Sequence, residues 1–347
     1  MSDQTQRTGG LDRRSFLRFG AIGVGAAAIF PHIATAGWGS RPGAQILSDV
    51  PGGATRKRVL RVAHLTDMHV QPELGANEGL IACLRHLANQ KDKPDLVLTG
   101  GDHVMDIFDT GRERAVELTS LYHKIMQDEC GSKVHSCIGN HDIWGWGKKK
   151  SGTKGDEDKW GKKWSTELLR LNDRYYTFDQ SGWRFFVIDS VHPDGEGYTA
   201  LLDEAQMGWL KDQFKALPVG MPALVLSHIP IMSIASFEGT GDPQKNKEYK
   251  ISGSKIHRDW NQLGIAFRET HARCGTGAGV RACLSGHLHQ VDRVDYNGVS
   301  YLCNGAVSGA WWKGKNGECD NGYAMLNLFS DGTIEREYVT YGWVPRK

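Results

Sequence analysis

The sequence predicts an α/β fold, and three observations carry that prediction. Short apolar runs alternate with segments of helical spacing through the first half of the chain. The run Asp95-Leu-Val-Leu-Thr-Gly-Gly-Asp102 is apolar along its length, as a parallel-type strand buried on both faces must be, and stops at two glycines and a carboxylate. Four other apolar runs stop in the same way, at Asp67 with His69, at Asn140 with His141, at His228, and at His287 with His289. Ligand sites of open α/β sheets lie outside the carboxyl ends of strands, so these five edges are the candidate functional surface.

The elements follow in order. Val59 to Thr66 reads as a strand, and Asn77 to Gln90 as a helix with Leu80, Ile81, Leu84 and Leu87 at helical spacing. Asp95 to Thr99 is a strand, Arg112 to Glu129 a helix and Lys133 to Ile138 a strand, completing three βα units. Ile143 to Thr166 then breaks the rhythm, with Trp144, Trp146, Trp160 and Trp164 scattered among lysines and glycines. It reads as a loop insertion, either anchored by its indoles or closing over a substrate. Tyr175 to Phe178 and Trp183 to Asp189 read as paired strands, Asp203 to Leu217 as an amphipathic helix and Ala223 to Ser227 as a strand. A second polar insertion covers Ser233 to Ser254, a helix is expected over Lys255 to Arg273, and Val280 to Ser285 is a strand. The remainder turns antiparallel: Asn297-Gly298 and Asp331-Gly332 are hairpin turns between Val291 to Asp295 and Val299 to Asn304, and between Tyr323 to Phe329 and Thr333 to Tyr341.

The chain has 347 residues and a formal charge of +2. That length suits one large α/β domain behind a processed N-terminus. Arg7, Arg13, Arg14 and Arg18 outweigh Asp3 and Asp12 over residues 1 to 36, so the remainder is near neutral. It carries no basic footprint for nucleic acid, and no apolar run reaches the roughly 18 to 20 residues of a stable membrane span. Asp12-Arg-Arg-Ser-Phe-Leu-Arg18, the Gly/Ala-rich stretch from Phe19 to Ile33 and Ala34-Thr-Ala36 resemble a twin-arginine (Tat) signal with its cleavage site. The resemblance implies the Tat export machinery as a partner and an exported, periplasmic destination. Residues 1–36 are then the signal peptide, 37–56 a linker rich in Gly, Pro and polar residues, and 57–347 the catalytic domain. Seven cysteines show no CxxC spacing, which argues against a zinc ribbon or a thioredoxin-type site. An oxidising destination permits disulfides, Cys274 with Cys283 among them, whereas Cys137 and Cys303 lie in apolar runs and read as small core residues.

The residues at the five edges comprise two carboxylates, one amide and imidazoles, without a thiolate. Such mixed N/O donors suit Mn, Fe, Zn or Co. Two cations held by Asp67 and Asp102 leave the pocket net positive even with a bridging hydroxide, which favours an anionic substrate such as a phosphate ester. Ions roughly 3.5 to 4 Å apart lower the pKa of a shared water and clamp the oxygens of an in-line displacement. That spacing requires a short bridge. Asp102 is the candidate, giving one oxygen to each ion or one oxygen to both, and Gly101 beside it lets the backbone approach closely.

The series Asp67-Met-His69, Gly101-Asp102, Gly139-Asn140-His141-Asp142, His228 and Gly286-His287-Leu288-His289 resembles the five-block signature of calcineurin-like metallophosphoesterases. The resemblance spans most of the mature chain and implies a two-sheet β-sandwich flanked by helices, with a dimetal site at the strand ends. It assigns Asp67, His69, Asp102 and His289 to one metal, and Asp102, Asn140, His228 and His287 to the other. It makes His141 the catalytic histidine that meets the scissile phosphate and assists the leaving group, with Asp102 also catalytic through the hydroxide it helps to hold. Asn140 is carried over as a substrate contact as well. Similarity to bacterial members of the family, which include cyclic-nucleotide phosphodiesterases, makes the implied activity a dimetal-dependent phosphodiesterase using a metal-bridging hydroxide. The alternatives are a phosphomonoesterase on the same site and a non-catalytic interaction protein on the same fold. A β-lactamase-like dimetal enzyme would need a His-x-His-x-Asp-His cluster, which the sequence lacks.

In one place the pattern departs from that family, where an acid or amide often stands three positions after the bridging aspartate to orient the histidine. Here Met105 occupies that place and Asp106 follows, so either Asp106 or Asp142 is expected to orient His141. His103, directly after Asp102, is expected to touch substrate, and His64 to sit in the core or behind the site. Trp311 and Trp312, in a glycine-rich stretch beyond the metal-binding pair, either stack a base or sugar or pack inward.

Overall fold

The computed structural model describes residues 45–46 and 56–345. The signal expected over 1–36, and nearly all of the linker over 37–56, lie outside the described residues. From the N-terminus the elements are β1 (Gln45–Ile46), β2 (Arg58–Leu65), α1 (Ala76–Ala88), β3 (Leu96–Thr99), α2 (Arg112–Glu129) and β4 (Val134–Ser136). Then come α3 (Lys148–Ser151), α4 (Lys162–Leu168), β5 (Tyr176–Gln180), β6 (Trp183–Val187), β7 (Val191–Asp194), β8 (Gly197–Ala200), α5 (Glu204–Ala216) and β9 (Pro222–Leu226). The last part holds α6 (Pro243–Asn246), α7 (Trp260–Cys274), β10 (Gly279–Ser285), β11 (Val291–Tyr296), β12 (Val299–Asn304), β13 (Gly322–Phe329) and β14 (Ile334–Thr340).

Two six-stranded sheets result, ordered β1-β14-β13-β2-β3-β4 and β11-β12-β10-β9-β6-β5. In the first, β2, β3 and β4 are parallel; in the second, β12, β10, β9 and β6 are. Strand residues alternate between two buried faces, which is why the runs read as apolar throughout. Val62, Leu98 and Leu326 of one sheet meet Phe185, Leu224, Leu226 and Leu284 of the other in a central cluster. Their neighbours Ala63, Val97 and Met325 pack outward with Leu80, Leu84, Leu118 and Ile125 of α1 and α2. Phe186, Val225 and Cys283 do the same with Leu210, Phe214, Leu263 and Phe267 of α5 and α7. The fold is thus the expected two-sheet sandwich flanked by helices.

Three local expectations change. The helix expected from Lys255 starts at Trp260, after a turn tied to other parts of the chain: His257 N–H donates to Pro230 O at 3.0 Å and Arg258 N–H to Ala200 O at 2.8 Å. The hairpin of β7 and β8 was not read from the sequence; its signal was Gly195, at φ 60°, in a two-residue loop. All seven cysteines are free thiols, so the Cys274–Cys283 pair is not formed. Cys274 Sγ lies against the Leu217 carbonyl instead, and Cys283 is buried in β10.

The indoles of the 143–166 insertion anchor it to the domain. Trp144 and Trp164 are buried with ring centroids 4.9 Å apart. Their indole N–H groups donate to Thr110 O and Thr119 Oγ1, fastening the segment to the α2 side of the first sheet.

Candidate metal centre

Each candidate residue directly follows a parallel strand. Asp67 and His69 follow β2, Asp102 follows β3, and Asn140 and His141 lie in a 3-10 turn (Asn140–Asp142) beyond β4. These come from the first sheet. His228 follows β9 and His287 and His289 follow β10, both in the second. The two sets converge at the seam between the sheets.

The side chains form two adjoining groups. In one, His69 Nε2 is 3.1 Å from His289 Nε2, and His289 Nε2 is 3.3 Å from Asp67 Oδ1. In the other, His228 Nε2 is 3.0 Å from Asn140 Oδ1 and 3.2 Å from His287 Nδ1. Asp102 Oδ2 lies between them, 3.3 Å from His228 Nε2 and 3.7 Å from His69 Nε2. Its Oδ1 is turned away and accepts the His141 backbone N–H at 2.8 Å.

The donor set fits metal ions on a specific observation. His228 Nδ1–H donates to Gly100 O at 2.8 Å, His289 Nδ1–H to Gly309 O at 2.5 Å, and His69 Nδ1 is 3.3 Å from Met105 O. Those carbonyls fix the tautomers, leaving Nε2 lone pairs to converge. Lone pairs facing each other at 3.1 Å, as in His69 and His289, repel unless something electropositive lies between them. Buried Asp67 and Asp102 supply negative charge to the same spot.

Electrostatics without a cation point the same way. Burial pushes both carboxyls up, yet the surrounding histidines hold Asp67 and Asp102 below the ordinary carboxylate range. Burial opposes a charge on His228, but Asp102 and Asp67 outweigh it and raise the imidazole to about 9. His69 and His287, for which burial is the largest influence, are lowered to about 3. A protonated His228 thus occupies the role a cation would take.

His141 stands at the open side, its side chain 28 % exposed. Nδ1 is 3.4 Å from Asp106 Oδ1, an ion-pair contact rather than an aligned hydrogen bond, and Nε2 is 4.0 Å from Asp102 Oδ2. Burial lowers its affinity for a proton, but Asp102 and Asp106 prevail and raise it to about 9. The choice between Asp106 and Asp142 therefore falls on Asp106.

Asp142 is committed elsewhere, and this corrects the expectation for His103. His103 is fully buried; its Nδ1 contacts Asp142 Oδ2 and its Nε2 contacts Thr99 Oγ1, each at 2.8 Å. With both nitrogens engaged and its ring edge-on to Tyr122, it does not face substrate. Asp142 also accepts the backbone N–H groups of His103 and Gly139 at 2.8 and 2.9 Å, fastening the Asn140–His141 turn to the Asp102 turn. His64 is in the core, where burial lowers it to about 4 and Asn304 Nδ2 is 2.9 Å from Nδ1. The two indoles divide their tasks: Trp312 packs inward, 1 % exposed, whereas Trp311 rims the centre.

The backbone is strained where the site is built. Asp67, His69, Asp102, His287 and His289 have φ of 54°, 42°, 52°, 69° and 54°, a region that only a few per cent of non-glycine residues adopt. Close approach adds a second constraint. A Cβ on Gly139 would lie 2.1 Å from Asp102 N and 2.2 Å from Oδ1, and one on Gly101 would lie 2.4 Å from His228 Nδ1.

An α/β sandwich with carboxylates and imidazoles gathered at its strand ends has the build of a dinuclear metallohydrolase. The sequence matches the family described as calcineurin-like phosphoesterase over residues 60–291, more than half of its length, and the chain belongs to that family. It is a metal-dependent phosphoesterase, and the family is dimetal-dependent. Among solved structures, a dimetal phosphatase from Danio rerio shares 13% identity at a TM-score of 0.50, over 82% of this chain and 100% of that one. GAP50, the anchor in the inner membrane complex of Plasmodium, shares 17% identity at a TM-score of 0.50, over 84% of this chain and 89% of that one. At these identities the likeness is one of fold. No curated protein matches the sequence significantly.

Proposed function

We propose that the chain is a phosphodiesterase in which Asp67, His69, Asp102 and His289 hold one metal ion and Asp102, Asn140, His228 and His287 the other. The observation that carries this reading is the position of Asp102 Oδ2, within 3.3 Å of His228 Nε2 in one group and 3.7 Å of His69 Nε2 in the other. With Oδ1 committed to the His141 N–H, Oδ2 is the oxygen free to serve both groups. The N/O donors, with no thiolate, suit Mn, Fe, Zn or Co. When bound, two such ions lower the pKa of a shared water and polarise the phosphoryl oxygens.

The chain's own groups do the rest. Carbonyls of Gly100 and Gly309 hold the imidazole N–H groups and so keep the opposite nitrogens aimed inward. His141 meets the phosphoryl group from the open side and passes the Nε2 proton to the departing alkoxide, while Asp106 steadies the imidazolium through Nδ1. Asn140 also contacts the bound ester.

The side chains paired with the two aspartates are compatible with a diester. Among the described residues the ion pairs of Asp67 and Asp102 are with histidines, and no lysine or arginine pairs with either. A phosphodiester carries one negative charge and a monoester close to two, so the diester asks less of fixed side-chain cations. Comparing bis(4-nitrophenyl) phosphate with 4-nitrophenyl phosphate in the presence of Mn tests this. The diester is expected to give the higher kcat/KM, and a monoester preference would overturn the assignment.

Export by the Tat route to the periplasm is part of the same proposal, supported by Arg13-Arg14 and the Ala34-Thr-Ala36 site. A reporter carrying residues 1–36 tests it: export should stop when both arginines become lysine.

A further inference from the structure

We propose that Trp311 is the platform on which the organic group of the phosphoester stacks, and that this group is a flat aromatic ring such as a nucleobase or an aryl. The inference rests on the reading that the histidine–aspartate cluster binds the phosphoryl group. Trp311 is placed to meet what is attached to it. Its ring centroid is 4.5 Å from that of His289, tilted by 33°, and 6.0 Å from that of His69. Even so it is 37% exposed, although it touches the buried centre.

Packing does not account for this placement. The adjacent Trp312 already does the packing, 1% exposed, with its indole N–H donating to Met68 O at 3.1 Å and His69 O at 2.9 Å. That bond fixes the main chain and leaves Trp311 to lie over the rim. The main chain pays for this with φ of 51° at Trp311 and 69° at Trp312, a region that bulky residues seldom adopt. A hydrophobic cover for His289 could be supplied from ordinary backbone by a smaller side chain. A large, partly open indole in strained backbone beside a reactive centre is better explained by a ligand that stacks on it.

A second ring bounds the other end of the cluster. Tyr198, half-buried on β8, is edge-on to His287 with centroids 6.2 Å apart, and Phe108 is edge-on to Tyr198 at 5.8 Å. The phosphoryl position thus lies between a tyrosine edge beside His287 and an indole beside His289. An indole accepts any flat ring, so it selects for aromatic character rather than for one base.

Hydrolysis-resistant phosphonates separate this proposal from the diesterase reading, since binding is measured whichever ester is cleaved. Methylphosphonate, benzylphosphonate and the 5′-phosphonate of 5′-deoxythymidine are titrated calorimetrically into the metal-loaded protein and into Trp311→Ala and Trp311→Phe, with metal content determined for each. The wild type should bind the two aromatic ligands about tenfold or more tighter than methylphosphonate. Trp311→Ala should abolish that preference with metal content unchanged, and Trp311→Phe should retain most of it. Nucleoside and benzyl ligands binding alike would identify a general aryl platform, and a nucleoside advantage lost in Trp311→Ala a nucleotide site; both support the proposal. An equal loss for all three ligands in Trp311→Ala, or no aromatic preference in the wild type, would overturn it.

Discussion

The backbone N–H of His141 donates to Asp102 Oδ1 at 2.8 Å, so the carboxylate at the middle of the cluster also fixes the main chain of the histidine at its mouth. In the proposed mechanism one carboxyl group therefore serves both the metals and the leaving-group histidine, Oδ2 facing the donor groups and the His141 ring while Oδ1 holds the His141 main chain. The two functions should separate by mutation on the histidine side and not on the aspartate side. Asp102→Ala or His287→Ala is expected to lose metal and turnover together. His141→Ala should retain metal, with kcat lowered about 10²- to 10³-fold. Elemental analysis alongside kinetics checks this, and full activity in His141→Ala would remove that residue from the mechanism.

Asp106 acts through His141 and should show a weaker version of the same effect. Asp106→Asn removes one of the two carboxylates that hold the His141 proton, so the alkaline limb of the pH–rate profile should move to lower pH. The expected loss at the optimum is about tenfold, with metal content intact. A profile identical to the wild type would show that the 3.4 Å contact has no role in solution.

The metal-free protein should be most stable near the ordinary histidine value. His141 and His228 are raised from 6.5 to about 9, so the stability they contribute is complete below about pH 6.5 and is lost as pH climbs towards 9. His64, His69 and His287 are lowered to about 4, 3 and 3, so theirs is complete above about pH 6.5 and is lost as pH falls. Thermal midpoints of chelated protein should thus fall on both sides of neutrality. Loading metal near pH 7 displaces the His228 proton and should acidify weakly buffered solution. A midpoint rising steadily from pH 5 to 9 would contradict the assignment.

His103 should matter for folding and not for substrate. Asp142→Ala leaves the buried His103 ring and two backbone N–H groups without their acceptor, at an expected cost of about 3 kcal/mol. His103→Ala should lower the thermal midpoint while KM stays within about twofold of the wild type. A tenfold rise in KM with no change in midpoint would restore His103 as a substrate contact.

Thiol counting tests the cysteine assignment. Denatured protein should titrate seven thiols with a chromogenic thiol reagent, with or without prior reduction, and native unfolding should not depend on reductant. Five thiols without reductant would reveal a disulfide.

The five strand edges were legible because strands buried on both faces read as unbroken apolar runs, and polar residues that interrupt them abruptly stand out. Asp67, Asp102 and His287 were visible for that reason. What lay hidden depended on side-chain direction beyond the strand ends. His103 follows Asp102, whose left-handed φ of 52° turns the chain beyond β3, so the direction of the His103 ring depends on that turn and not on the strand. Asp106 and Asp142 are both acidic and both near His141, and only the path of the turn distinguishes them. The β7–β8 hairpin escaped because Pro193 and two glycines obscure its alternation. Trp311 and Trp312 are chemically identical neighbours, and a single residue of register decides which one is buried.

The left-handed turns at Asp67, His69, Asp102, His287 and His289 restrict the centre's vocabulary before coordination chemistry has any say. Asparagine, aspartate and histidine are the side chains that visit this conformation most readily after glycine, and all three are good donors to borderline and hard cations. Glutamate or glutamine could match the donor atom but would have to unwind the corner that delivers it. Drift among relatives should therefore exchange these three residues at those corners and seldom admit the longer homologues.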